Sequence, residues 1–323
     1  MKAIQIARLG GPEVLELVEL PPPVPKAGEA LIRQRAAGVN FIDTYQRSGL
    51  YPTALPYVLG REGAGVVEAV GDGVTEVHPG QRVAYPQGPG GGYGELVAVA
   101  AALCVPIPDG IDDDVAAAAL LQGMTAHYLC NDTFALGRGD IAVVHAAAGG
   151  VGNLLVQLAK GKHATVIATA GSAEKVALAR EAGADHAIDY SATNFADAVR
   201  ALVGDKAVDV VYDSVGKATW ERSMSLLRTR GMLVCYGNSS GPVPPVDPLS
   251  LMNGGSLYLT RPTLAHYMRT RDELLARAGA VFDAIREGAL RVRIGARYKL
   301  ADAAQAHRDL EARATVGKLI LVP

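Results

Sequence analysis

An apolar run, Ile141-Ala142-Val143-Val144-His145-Ala146-Ala147-Ala148, leads directly into Gly149-Gly150-Val151-Gly152. The chemistry such a stretch can do belongs to its backbone. Gly149 lets the main chain come close to a pyrophosphate, and Gly152 lets a helix pack tightly on the strand before it. The helix turns its unsatisfied N–H groups and the positive end of its dipole toward the phosphates. The residues match G-x-G-x-x-G except at the first position, which is Ala147. Gly149, Gly150, Val151 and Gly152 are therefore the candidate dinucleotide cradle.

A second group would read the far end of that ligand. An enzyme that selects NAD places Asp or Glu at the tip of the second strand, to hold the ribose 2′-hydroxyl. Here the tip reads Ala168-Thr169-Ala170-Gly171-Ser172, with no acid. Beyond Gly171, Ser172, Lys175 and Tyr190 would offer a 2′-phosphate a hydroxyl, an ammonium and a phenol. Glu174 is an early helical residue, where a carboxylate favours the dipole. These residues predict NADPH in preference to NADH.

Periodicity supplies the elements that must position these groups. Val151, Leu154, Leu155 and Leu158 recur at helical spacing and predict one stripe against a sheet. Strand and helix then alternate: a strand at Thr165–Thr169, a helix from Ala173 to Ala182 stopped by Gly183, and a strand at His186–Asp189. A helix bearing Phe195, Val199 and Leu202 leads to a strand at Ala207–Asp213. A helix with Trp220, Met224 and Leu227 leads to strands at Met232–Tyr236 and Ser256–Thr260. Such alternation predicts a doubly wound parallel sheet, α/β in class, closed by a polar helix near 272–287. Ligands bind off the carboxyl ends of such strands, so Ser214, Asn238, Ser239, Ser240 and Gly241 are expected to face the dinucleotide.

Residues 1–112 read differently. Short β-type segments (Ala30–Arg35, Gly63–Val70, Arg82–Tyr85) alternate with Pro and Gly clusters, which predicts a compact, partly closed β unit. Strand-like Arg291–Ile294 and Lys318–Val322 are expected to return to it. The predicted division is 1–112 with 290–323, and 113–289.

The composition of the 323 residues, 49% hydrophobic and 20% charged, is that of an ordinary soluble globule. A net charge of −2 gives no reason to expect nucleic acid or an anionic membrane as partner. Three separated cysteines, without a C-x-x-C pair, argue against disulfides and a cysteine-rich zinc site. With no apolar run near the ~18 residues of a membrane span, the expected location is the cytoplasm.

Several motifs complete the pattern: Gly38-Val39-Asn40-Phe41-Ile42-Asp43-Thr44-Tyr45, Ser48-Gly49-Leu50-Tyr51-Pro52, Asp213-Ser214-Val215-Gly216, Tyr236-Gly237-Asn238-Ser239-Ser240-Gly241 and Thr260-Arg261-Pro262. Over essentially its whole length the chain resembles the medium-chain dehydrogenase/reductase superfamily, and within it the zeta-crystallin-like, zinc-free quinone oxidoreductases. The resemblance implies a GroES-like domain followed by a Rossmann domain. It puts Asn40, Tyr45 and Tyr51 around the nicotinamide and the acceptor, and Thr125 and Tyr128 along the cofactor. It also implies that the Leu259–Pro262 backbone, Arg261 included, meets the carboxamide and that Lys318, with Arg313, meets the phosphates. Relatives assemble as dimers or tetramers, which makes the Ser256–Thr260 strand a candidate pairing edge.

The zinc alcohol dehydrogenases of that superfamily differ at the reacting centre. A catalytic cysteine falls at Asn40, a ligand histidine at Arg61, the relay hydroxyl at Ile42 and the relay histidine at Tyr45. Zinc needs N, S or O donors that these positions lack, so no metal is expected. Alkoxide chemistry calls for a Lewis acid. A quinone instead becomes a phenolate-like anion, whose conjugate acid has a pKa of about 10, and hydrogen bonds suffice for it. Arg61 either stabilises that oxyanion or pairs with Asp43 or Glu62, the pairing being the expected arrangement. Two alternatives stay open: reduction of an activated C=C bond in an enone or alkenal, and a non-catalytic NADPH- or RNA-binding role. The surface for the latter is Arg291, Arg293, Arg297 and Lys299, more simply read as a charged edge strand.

Overall fold

Glu29–Val39 is the spine of the first unit, an eleven-residue strand buried along most of its length. It pairs antiparallel with Gly63–Val70, Leu96–Ala100 and Lys318–Val322. The resulting seven-stranded sheet continues through Arg82–Tyr85 and Val105–Pro106 on one side and Ile294–Lys299 on the other. A small sheet of Glu16–Glu19, Lys2–Ile6 and Tyr57–Val58 adds to it. The fold is a computed structural model that describes residues 1–323. Ile32, Val67, Val83, Tyr85, Val97 and Val99 make one core of this unit. Ile4, Ile6, Val39, Leu59, Tyr93, Leu319 and Leu321 make another.

The unit comprises Met1–Met124, Met268–Gly288 and Val292–Pro323. The polar helix expected to close the parallel sheet, Arg271–Arg286, is thus in the first unit. Thr270 caps it by accepting from the Glu273 N–H at 3.2 Å. The Arg271 guanidinium then donates to the carbonyls of Ala102 and Cys104 at 3.0 and 3.1 Å. Helices Phe41–Ser48 and Asp113–Tyr128 were not legible as helices. The strand expected at Arg291–Ile294 begins instead at Ile294 and runs to Lys299. Its half-buried residues are Ile294, Ala296 and Tyr298, and the period of two leaves Arg297 and Lys299 outward.

The second unit, Thr125–Tyr267 with Ala289–Arg291, is the parallel sheet. Its order is His186–Asp189, Thr165–Ala170, Ile141–Val144, Val208–Asp213, Leu227–Cys235, Tyr258–Thr260, with every neighbouring pair parallel. The winding reverses between Ile141–Val144 and Val208–Asp213, the switch point where such sheets bind ligands. Val143, Ile167, Ile188, Phe195, Val199, Val211 and Leu233 form a core between strands and helices. No helix of the chain is long and apolar enough to cross a membrane.

Candidate active site

In the second unit the strand Ile141–Val144 ends in a turn to the Gly150–Gly161 helix. The left-handed residue of this turn is Ala146, at φ 51°, and the Gly149 N–H closes it on the Ala146 carbonyl at 2.9 Å. No glycine pattern flags an alanine there. Gly152 is needed for close approach: a Cβ on it would stand 2.4 Å from the Ala146 carbonyl oxygen. The helix has neither a side-chain cap nor an acid in its first turn. Its first N–H groups therefore have no intrahelical partner, and that cradle fits a pyrophosphate.

At the tip of Thr165–Ala170 the structure brings Tyr190 against Gly171 and starts the next helix at Ser172. The Tyr190 ring lies over Gly171, where a Cβ would meet its hydroxyl at 2.7 Å. The Tyr190 N–H donates to the Ala170 carbonyl at 3.0 Å. Ser172 caps the next helix by accepting from the Lys175 N–H at 3.3 Å. The neighbouring acid, Asp189, is turned to Ser191 and accepts from its N–H and hydroxyl at 2.9 and 2.6 Å. Those bonds hold its carboxyl below the usual range.

The loops after the fourth and fifth strands hold each other. The Ser239 N–H donates to the Ser214 carbonyl at 3.2 Å, and the Lys217 N–H to the Gly241 carbonyl at 3.0 Å. The Ser240 hydroxyl donates to the Val215 carbonyl at 2.7 Å and accepts from the Ala218 N–H at 2.9 Å. Ser240 is expected to contact the dinucleotide, yet its oxygen is a staple between loops. Arg261 donates to the Cys235 carbonyl at 3.0 Å. Thr125 is nearly buried. Tyr128, also expected along the cofactor, is 1% exposed and stacks on Tyr267 at 4.1 Å.

The first unit carries the acceptor-side candidates. Tyr45 stands on the Phe41–Ser48 helix with its ring 6.2 Å from Phe41 and 5.3 Å from Tyr51. Asn40 begins that helix, and its carboxamide is spent inside the protein. The Nδ2 group donates to Glu62 Oε1 at 2.7 Å and to the Gly38 carbonyl at 3.3 Å. The Oδ1 atom accepts from Lys318 Nζ at 2.7 Å and from Gln122 Nε2 at 3.5 Å. Lys318 is expected at the phosphates; instead it is 1% exposed and its ammonium pairs with the fully buried Glu62. Strand register explains this meeting. Leu319 lies opposite Val39, which brings Lys318 to Asn40. Gly63 lies opposite Ala37, which brings Glu62 to Gly38. Gly38 has no side chain because that of Glu62 crosses it, within 2.2 Å of where a Cβ would be.

Beside this pair lies a second buried network that the spacing of residues does not show. Asp43 Oδ2 accepts from the Asn40 N–H and the Tyr93 hydroxyl, both at 2.8 Å. Tyr93 also meets His307 Nε2 at 3.2 Å, and Arg47 meets His307 Nδ1 at 2.9 Å. A guanidinium only donates, so Nδ1 accepts and the neutral ring carries its proton on Nε2. Burial pushes the Asp43 carboxyl up to about 6, and burial, with the Arg47 charge, pulls His307 down to about 3.

Arg61 departs from its expected pairing. Glu62 is taken by Lys318, Asp43 holds the Asn40 N–H and Tyr93 through Oδ2 while its Oδ1 has no partner, and Arg61 Nε is buried without a hydrogen-bond partner. Arg313 is an exposed first-unit residue at φ 56°. No three His, Cys, Asp or Glu side chains converge as a metal site requires.

Two family models match the chain. Residues 26–109 match the alcohol dehydrogenase GroES-like domain, and residues 150–280 match the zinc-binding dehydrogenase family. A quinone oxidoreductase of Pseudomonas aeruginosa is 50% identical over 323 residues, covering 100% of this chain and 99% of its own. A 2-haloacrylate reductase of Burkholderia is 41% identical, covering 99% and 98%. The crystal structure of Escherichia coli quinone oxidoreductase complexed with NADPH superposes with a TM-score of 0.98 at 42% identity, over 100% of both chains. The GroES-like and Rossmann architecture expected from the motifs is therefore the fold of this protein. The chain belongs to the quinone oxidoreductase family of the medium-chain dehydrogenase/reductases.

Proposed function

We propose that this protein is an NADPH-dependent quinone reductase. Full-length likeness to quinone oxidoreductases carries this reading, one of them solved with NADPH. Bound NADPH supplies a hydride to the acceptor. The chain's own groups bind, orient and stabilise. Gly149, Gly150, Val151 and Gly152 would hold the pyrophosphate with main-chain N–H groups, and Ser214, Asn238, Ser239 and Gly241 would follow the ligand along the strand ends. Ser172, Lys175 and Tyr190 would hold the 2′-phosphate, which no carboxylate at the strand tip repels. The rings of Tyr45 and Tyr51 suit a flat aromatic acceptor, and their hydroxyls would donate to its oxygen as charge develops.

Lys175→Glu should raise the KM for NADPH about 10- to 100-fold and leave NADH nearly unaffected, the loss of one charge-assisted contact. Equal effects on both nucleotides would refute the 2′-phosphate assignment. The reaction itself is tested by an NADPH oxidation screen against quinones, enones, ketones and aldehydes. Brisk turnover of ketones with no response to benzoquinones would overturn the proposal.

One observation favours a second reading, reduction of an activated C=C bond. The Arg61 guanidinium is not spent on either nearby carboxylate, which suits an acceptor that is already anionic. The 2-haloacrylate reductase is a relative with a name of that kind. Arg61→Thr should then raise the KM for 2-chloroacrylate about 10- to 100-fold while sparing a neutral quinone. A variant that treats both acceptors as the wild type does would remove Arg61 from the site.

The Tyr258–Thr260 strand ends the parallel sheet, with Tyr258 exposed and Leu249 and Met252 exposed on the helix before it. An open strand edge with apolar side chains suits pairing with a second copy. Sedimentation as a monomer at micromolar concentration would exclude that assembly. All three cysteines are buried free thiols, in keeping with a reducing, cytoplasmic location.

A further inference from the structure

We infer that Glu62 and Lys318 are positioning residues for the reaction, acting by locking the Asn40 carboxamide. The inference rests on the reading that Asn40, Tyr45 and Tyr51 serve the acceptor. A side-chain amide has two donor hydrogens and two acceptor lone pairs. All four of Asn40's are engaged, by Glu62 Oε1, the Gly38 carbonyl, Lys318 Nζ and Gln122 Nε2. The amide's orientation is chemically determined as well. An ammonium only donates and a carboxylate only accepts, so nitrogen must face Glu62 and oxygen must face Lys318. Exchanging the two would place donor against donor and acceptor against acceptor.

The lock reaches the aromatic rings through the main chain. Asn40 is the residue from which the Phe41–Ser48 helix starts, and its own N–H is held by Asp43 from the first turn. Tyr45 follows one turn on, and the Tyr51 N–H donates to the Tyr45 carbonyl at 3.1 Å. Fixing Asn40 at both its side chain and its main chain therefore fixes where both rings stand. Glu62 extends the brace, since its second oxygen accepts from the Leu121 N–H at 3.2 Å. Asn40 itself has no hydrogen bond left for a ligand, so its part is that of a rigid wall. A misplacement of about 1 Å at a reacting centre can cost about 100-fold in rate, which gives such a brace kinetic weight.

The test compares two charge-balanced pairs in the full-length protein. Glu62→Met/Lys318→Met removes the lock and leaves no unpaired charge. Glu62→Gln/Lys318→Gln keeps an acceptor toward Nδ2 and a donor toward Oδ1. Three readouts are taken: melting temperature, NADPH affinity by fluorescence titration, and kcat/KM across the acceptor screen. Hydrogen exchange of the Asn40 side-chain amide, in protein labelled with ¹⁵N-asparagine, reports the lock without turnover. The methionine pair should lose amide protection and about 10- to 100-fold in kcat/KM, while NADPH affinity stays within about twofold. The glutamine pair should keep most of both. Unchanged kcat/KM with a freely exchanging Asn40 amide overturns the role, as does parallel loss in both pairs. If the methionine pair does not fold, Glu62→Gln/Lys318→Leu against the glutamine pair gives the same comparison. A wild type inactive on every acceptor overturns the functional reading and this role with it, even where the Asn40 amide is protected.

Discussion

Lys318→Met should destabilise the fold by about 3–5 kcal/mol, because it leaves a buried carboxylate without its cation. Glu62 is fully buried, and its Oε1 would keep only the Asn40 amide. Adding Glu62→Met should return most of the loss, since an apolar pair of similar volume needs no compensation in a dry interior. Denaturant unfolding of the wild type, both single variants and the double variant measures this as a coupling energy. A near-additive cycle, with the double variant as unstable as the sum of the singles, would show that the pair does not act as a unit. A lysine braced at the phosphates, as the family resemblance implies for Lys318, would show little loss of stability in the single variant.

Acid should act on the buried Asp43–Tyr93–His307 chain in two opposing ways. His307 is held neutral in the fold at about 3, against 6.5 ordinarily. Its contribution is present above pH 6.5 and is lost as pH falls toward 3, because the unfolded chain takes up the proton first. Asp43 is raised from 3.8 to about 6, so the folded state binds its proton first and gains stability as pH falls between those values. From pH 6 down to about 4 the two slopes nearly cancel. His307→Gln keeps an acceptor for Arg47 and a donor for Tyr93 but removes one slope. Relative to the wild type, it should gain about 3 kcal/mol of stability between pH 7 and pH 4, from ~2.5 pH units at 1.36 kcal/mol each. Urea titrations at fixed pH values measure the difference. If the two proteins change in parallel with pH, His307 is not held neutral in the way its partners imply.

Much of the second unit was legible from periodicity. The strand His186–Asp189 has the bounds that its sequence predicts, because turn signals stand on both sides of it. The glycine turn after Ile141–Val144 and the helix start at Ser172 are legible for a related reason. Both rest on backbone freedom and on capping at strand ends, which local spacing reports. The first unit was harder to read. The Phe41–Ser48 helix has polar residues on a buried face, Asp43, Gln46 and Arg47 among them, so no apolar stripe announced it. The turn before the cradle misled in a smaller way, since an alanine occupies the left-handed position usually given to glycine.

The sequence by itself determined the class of the fold, the glycine-rich turn between the Ile141–Val144 strand and the helix that follows, and the absence of an acid at the tip of the second strand. Each follows from neighbours along the chain. Tertiary structure alone decided how charges far apart in sequence are shared. Glu62 and Lys318 are separated by 256 residues and meet only because two strands flank the end of a third. Arg47 and His307 are separated by 260. A buried ion pair leaves no periodic trace, because one charged residue in an apolar strand has the same spacing whether its partner exists or not. Which carboxylate was spoken for, and therefore that Arg61 was left unspent, could be known only once the strands were laid side by side.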